Sequence, residues 1–222
     1  MKIDVLTLFP EMFESFVSTS IIKRAIENNK ATINFINIRD FSEYNNSQVD
    51  DTPFGGGAGM VMMCDPVVKA INSVRTPESL VIALTPRGKT FNQTVAVSYK
   101  NLKHLIILCG HYEGFDERIY DYVDEEVSIG NFILTGGEPA SMCIIDSIVR
   151  LIPEVITNES LDSESFTDNL LDYPVYTKPR IYDGKEVPEI LLSGNHAKIN
   201  EYRKEERIRI TEKYRPDLLN KE

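Results

Sequence analysis

Short β-branched runs alternate with stretches of helical periodicity over the first 150 residues, and nothing else in the chain restricts its fold as much. Residues 3–9, 32–38, 80–84, 105–108 and 127–129 read as strands. Between them Pro10 opens a helix reaching about Asn28, shorter helices cover 66–74 and 93–99, and a strongly apolar helix covers 139–151. Strands alternating with helices imply a mostly parallel sheet covered on both faces. The expected fold class is α/β. Residues 157–172, TNESLDSESFTDNLLD, are polar and acidic, the composition of a flexible linker. Beyond them comes a proline-containing stretch and a charge-laced amphipathic helix over 198–214. The expected plan is an α/β domain over 1–156, a linker over 157–172 and a small, mostly helical C-terminal domain over 173–222.

The formal net charge is −10, which looks wrong for a nucleic-acid binder. The excess acid is local, however. Residues 113–172 hold 15 acidic side chains against 2 basic ones, whereas 1–112 and 173–222 are each slightly basic. The average therefore hides two kinds of surface and does not exclude a polyanionic partner. No apolar run approaches the roughly 18–20 residues that span a bilayer, and the start, MKIDVLTLFPEMF, lacks the architecture of a cleavable signal. A cytoplasmic location is expected. Cys64, Cys109 and Cys143 are far apart and in apolar company, which suggests buried free thiols. With three histidines, no Cys/His cluster has zinc-like spacing, and no metal site is expected.

Four glycine-bearing segments mark candidate ligand sites. ALTPRGKT follows a strand and ends like a phosphate-binding loop, but Ala83 stands where that pattern needs glycine. A tight turn at a strand's carboxyl end, where α/β proteins bind ligands, fits better. GGGAGM, from Gly55 to Met60, is costly to order unless its backbone needs unusual dihedrals or approaches a ligand closely. Asp50 and Asp51 just before it favour a polar ligand over a plain flexible loop. LCGHYEGFDER puts two glycines and four charges at the end of an apolar strand. SIGNFILTGG brackets an apolar run with glycines directly before a helix, either as a turn or as a cleft floor gripping a flat ligand. Arg150, at the end of the 139–151 helix, either answers the helix dipole or acts in a site. Asn195 reads as the N-cap of a helix that His196 enters.

Taken together, LFPEMF, VDDTPFGGGAGMVM, CGHYEGFDERI, DEEVSIGNFILTGGE, DSIVRLIP and VPEILLSGNHAKI occur in an order and spacing that resemble the bacterial tRNA (guanine-37-N1)-methyltransferases of the SPOUT superfamily, from Met1 to about Leu218. The resemblance implies a homodimer whose α/β domain carries a deep trefoil knot. It implies S-adenosylmethionine as methyl donor and tRNA with guanosine at position 37 as substrate, with neither DNA nor a membrane as partner. It also suggests a Mg²⁺ requirement, for which no spacing here shows a site.

Carried over residue by residue, the methyl-donor pocket falls on Leu84, Thr85 and Pro86, on Gly110, Tyr112 and Glu113, and on Ser128, Ile129, Gly130, Asn131, Phe132, Ile133, Leu134, Gly136 and Gly137. The loop contacting the target guanine falls on Asp50, Gly55, Gly56, Gly57, Gly59 and Met60. Ser193, Asn195 and His196 fall on the tRNA-binding C-terminal domain, where Lys198, Arg203, Arg207 and Arg209 would supply phosphate contacts. The family's arginine maps onto Arg150. Its aspartate base, in Asp-Ser-Phe, is replaced here by Glu164 in Glu164-Ser165-Phe166, with Asp162 as the alternative base. The chain also lacks the leucine the family places between Glu138 and Pro139. A methyltransferase acting on another RNA position and a non-catalytic RNA-binding relative remain the competing readings.

Overall fold

A computed structural model describes residues 1–157 and 164–219. The chain divides into two compact units, Met1–Ile156 and Thr157–Glu222. In the first, β1 (Lys2–Thr7), β2 (Thr32–Asn37), β5 (Ser79–Thr90), β6 (His104–Leu108) and β7 (Glu125–Ser128) form a parallel sheet in the order β2-β1-β6-β5-β7. The two-residue strands β3 (Asp50–Asp51) and β4 (Val61–Met62) make a separate antiparallel pair.

Side chains alternate across the main sheet. Ile3, Val5, Ile82, Leu105 and Ile107 share one core with residues of α2 (Ser20–Glu27), α4 (Gln93–Tyr99) and α5 (Glu138–Val149). Leu6, Val81, Ala83, Ile106 and Leu108 share the other with α3 (Cys64–Val74). Both faces are covered, as the unbroken apolar runs imply, and each fully buried Leu or Ile is stabilised by roughly 1.5–3 kcal/mol of apolar transfer.

Three local expectations are corrected. The single helix from Pro10 to about Asn28 is instead a 3-10 turn (Pro10–Phe13), α1 (Glu14–Val17) and α2. Thr19 Oγ1 donates to the Ser15 carbonyl at 2.8 Å, Thr19 is extended, and Ser20 has a φ of 54°. Short hydroxyl side chains here compete with the helical ladder. The strand expected over 80–84 runs on to Thr90, but Leu84 and Lys89 both register with Val127, so residues 85–88 bulge out between them. The three thiols are free, but only Cys109 is buried; Cys143 is exposed and Cys64 half-buried.

In the second unit β8 (Ile181–Tyr182) and β9 (Lys185–Glu186) form a hairpin, and α6 (His196–Tyr214) is the main helix. The Asn195 side chain caps it, accepting from the Lys198 amide at 3.2 Å. Arg207 Nε donates to the Leu171 carbonyl and Nη1 to Asp168 at 2.8 Å, and the Leu171 amide donates to Thr211 Oγ1 at 2.8 Å. These bonds fasten the 168–171 stretch to α6. Among the described residues no helix is long and apolar enough to cross a membrane.

Candidate active site

The middle of β5, at its bulge, and the carboxyl ends of β6 and β7 open onto one cavity of about 470 Å³. Leu84, the last paired residue before the β5 bulge, lines it with Thr85 and Pro86 of the bulge itself. Gly110, Tyr112 and Glu113 line it from the loop after β6, and Ser128, Ile129, Gly130, Phe132, Ile133, Leu134, Gly136 and Gly137 from the segment after β7. Asn131 is exposed and is not among the lining residues.

Two of these segments touch through their backbones, which is why glycines stand there. The Gly137 amide donates to the Gly110 carbonyl at 2.9 Å. A Cβ on Gly137 would lie 2.8 Å from Cys109 Cα, and one on Gly136 would lie 2.3 Å from the His111 ring. Beneath them Glu138 is fully buried and accepts from Thr7 Oγ1 at 2.6 Å and from His111 Nε2 at 2.7 Å. Burial and the nearby Glu138 push the Cys109 thiol pKa up, so it stays a protonated, apolar wall.

The glycine-rich loop is joined to the same rim. The Glu113 amide donates to the Met60 carbonyl at 2.9 Å, the Met62 amide to the Gly114 carbonyl at 2.9 Å, and the Asp116 amide to the Met62 carbonyl at 3.0 Å. Burial, and next the nearby Asp50, push the Tyr112 hydroxyl pKa up. Gly55, Gly56, Gly57 and Gly59 all have positive φ, between 80° and 134°. Around Gly55 and Gly56 there is open space, whereas a Cβ on Gly59 would strike the Glu113 side chain. The loop's dihedrals require glycine, and its tip leaves room for a ligand.

Arg150 is the half-buried C-cap of α5. Glu164 opens a turn closed by the Thr167 amide donating to the Glu164 carbonyl at 3.3 Å. Asp162 lies outside the described residues. Ser193 Oγ accepts from the Asn195 amide at 3.2 Å, and His196 is exposed at the start of α6. Two of the expected phosphate-binding cations are already paired, Arg207 with Asp168 and Arg209 with Glu206. Arg203 stacks on Tyr173 at 4.6 Å. Among the described residues no group of three or more His, Cys, Asp or Glu side chains could hold a metal ion.

Sequence reasoning missed several lining residues, chiefly Arg87, His111, Glu117 and Tyr120. ALTPRGKT marked the turn, but the partners of Arg87 are 30 and 39 positions away and no local pattern reveals them.

A parallel sheet covered on both faces, with a glycine-floored cavity at its strand ends, defines an α/β protein whose cavity has the form of a small-molecule site. The chain matches the family model described as tRNA (Guanine-1)-methyltransferase TrmD over residues 1–221, and it belongs to that family. It is 58% identical over 221 residues to a protein of Malacoplasma penetrans (strain HF-2) named tRNA (guanine-N(1)-)-methyltransferase, covering 100% of this chain and 98% of that one. Proteins of the same name from Ureaplasma urealyticum serovar 10 and Clostridium botulinum strain Hall are 52% and 54% identical, covering 100% of this chain and 97% and 92% of theirs.

Proposed function

We propose that this chain transfers a methyl group from S-adenosylmethionine to N1 of guanosine 37 in tRNA, with Glu164 as base and Arg150 as electrostatic stabiliser. The observation that carries the reading is the meeting of two carried-over segments on one rim. All of the carried-over methyl-donor residues except Asn131 line a single cavity, and the glycine-rich loop is hydrogen-bonded to its wall at Glu113 and Gly114.

The cavity suits the donor. Its volume lies within the roughly 300–1,000 Å³ of small-molecule sites. Leu84, Ile129 and Leu134 offer apolar surface to a flat base, and glycine backbone at 110 and 136–137 admits close approach. Glu113 brings a carboxylate towards a cationic sulfonium. When bound, S-adenosylmethionine supplies an electrophilic methyl group. Guanine N1 is a poor nucleophile because it carries a proton and its lone pair is tied into the ring amide. The Glu164 carboxylate takes that proton, and charge then develops on O6, where the Arg150 guanidinium stabilises it. Glutamate in place of aspartate is chemically competent, since both carry a carboxylate that can accept the N1 proton.

The same proposal includes a cytoplasmic homodimer with knotted α/β domains. The contact of the 136–137 backbone with Cys109 and Gly110 supports a tightly threaded chain at this point. Exposed Phe132 and Ile133 on the cavity rim support coverage by a second copy. The Mg²⁺ requirement rests on the resemblance and is tested by chelation with EDTA and re-addition. The activity is tested by incubating the purified chain with labelled S-adenosylmethionine and an unmodified tRNA transcript bearing guanosine at 37. Label in the tRNA is the expected result, and its absence overturns the reading.

A further inference from the structure

Residues 85–88 leave the sheet, since Leu84 and Lys89 both register with Val127, yet Thr85 and Pro86 line the cavity. What holds this unpaired bulge is the Arg87 side chain. Its guanidinium lies 3.8 Å over the Tyr120 ring, donates to Glu126 through Nε at 2.6 Å and Nη2 at 3.2 Å, and donates to both Glu117 oxygens through Nη1 at 3.0 and 3.1 Å. Gly88 completes the contact, since a Cβ there would lie 2.4 Å from the Val127 amide nitrogen. Arg87 and Tyr120 also line a second cavity of about 280 Å³, so both side chains border the two spaces.

We propose that Arg87, stacked on Tyr120 and paired with Glu117 and Glu126, is a positioning residue that fixes the β5 bulge as one wall of the methyl-donor pocket. This rests on the cavity being the methyl-donor site. Two carboxylates already neutralise the guanidinium, so its task is geometric and not the capture of tRNA phosphate. A planar guanidinium stacks flat on the ring while its fork pairs bidentately, whereas a lysine ammonium is a point charge with neither the flat face nor the fork.

The test uses the full chain with Arg87→Ala, Arg87→Lys and Glu126→Gln. Calorimetry measures affinity for S-adenosylhomocysteine without turnover, and steady-state methylation separates kcat from the KM of each substrate. Arg87→Ala should weaken S-adenosylhomocysteine binding about three- to tenfold and raise the KM for S-adenosylmethionine by the same factor. The kcat and the KM for tRNA should stay within about twofold. Arg87→Lys should fail to restore affinity, and Glu126→Gln should show a smaller loss in the same direction. Unchanged S-adenosylhomocysteine affinity in Arg87→Ala, beside normal binding by the unaltered chain, overturns the proposal alone. So does a raised KM for tRNA or full rescue by lysine. If the unaltered chain binds no S-adenosylhomocysteine, the pocket reading itself fails and takes this proposal with it.

Discussion

The carboxylate of Glu138 lies 2.7 Å from Nε2 of His111 and has no exposure to solvent. Its other oxygen accepts from Thr7 at 2.6 Å, so one side chain ties the end of β1 to the loop after β6, at the cavity floor. A carboxylate this deep is tolerated only because both oxygens are engaged.

Glu138→Ala should therefore destabilise the chain by about 3–5 kcal/mol, because it leaves His111 and Thr7 without their acceptor. Glu138→Gln, which keeps one acceptor oxygen, should lose about half as much. Urea unfolding measures both, and a loss below about 1 kcal/mol for the alanine variant would contradict the buried network.

Gly137→Ala places a methyl group 2.8 Å from Cys109 Cα, against backbone that cannot turn aside. The 136–137 segment must then move away from Gly110. The expected outcome is a stability loss of about 1–3 kcal/mol and loss of S-adenosylhomocysteine binding. Native affinity in this variant would show that the two segments need not touch.

Much of this was legible in the sequence for a simple reason. Strands such as Leu105–Leu108 are buried on both faces, so their composition is dictated locally. Glycines 136 and 137 are equally legible, since no side chain fits between touching backbones. The break at Thr19 was not, because it depends on hydroxyl bonds competing with a helix that propensity alone favours. The bulge at 85–88 and the role of Arg87 depend on Glu117, Tyr120 and Glu126, partners fixed only by tertiary structure. The apolar neighbours of Cys143 in sequence suggest burial, yet its own position on α5 faces solvent.

In the second unit the Arg207 guanidinium holds the Asp168 carboxyl below the usual range. A carboxyl with a lowered folded pKa adds stability above its unfolded value of about 4, and that stability is lost as pH falls below it. Asp168 is half exposed, so the contribution should be at most about 1 kcal/mol. The difference in stability between the parent chain and Asp168→Asn should thus be present at pH 6 and shrink towards pH 3. A difference that grows on acidification would contradict the pairing.

Loosening the same attachment should also affect catalysis, because Arg207 anchors the stretch that follows Glu164. Arg207→Ala is expected to lower kcat about three- to tenfold while S-adenosylhomocysteine affinity stays unchanged. Equal losses in both would mean a general folding defect.

Glu164→Gln should cut single-turnover methylation by roughly 10²–10⁴, the range for removal of a general base. Arg150→Ala should cut it by roughly 10²–10³, the range for loss of a charge-stabilising donor. Both should retain S-adenosylhomocysteine binding. Full activity in Glu164→Gln, with none in Asp162→Asn, would move the base to Asp162.

The most direct test of the central claim is mapping of the methylated nucleotide. An unmodified tRNA transcript is methylated with labelled S-adenosylmethionine, digested, and its nucleosides identified by mass spectrometry beside a transcript with guanosine 37 replaced by adenosine. The account predicts N1-methylguanosine at position 37 in the first and no label in the second. Label at another nucleotide, or equal labelling of both transcripts, would contradict it.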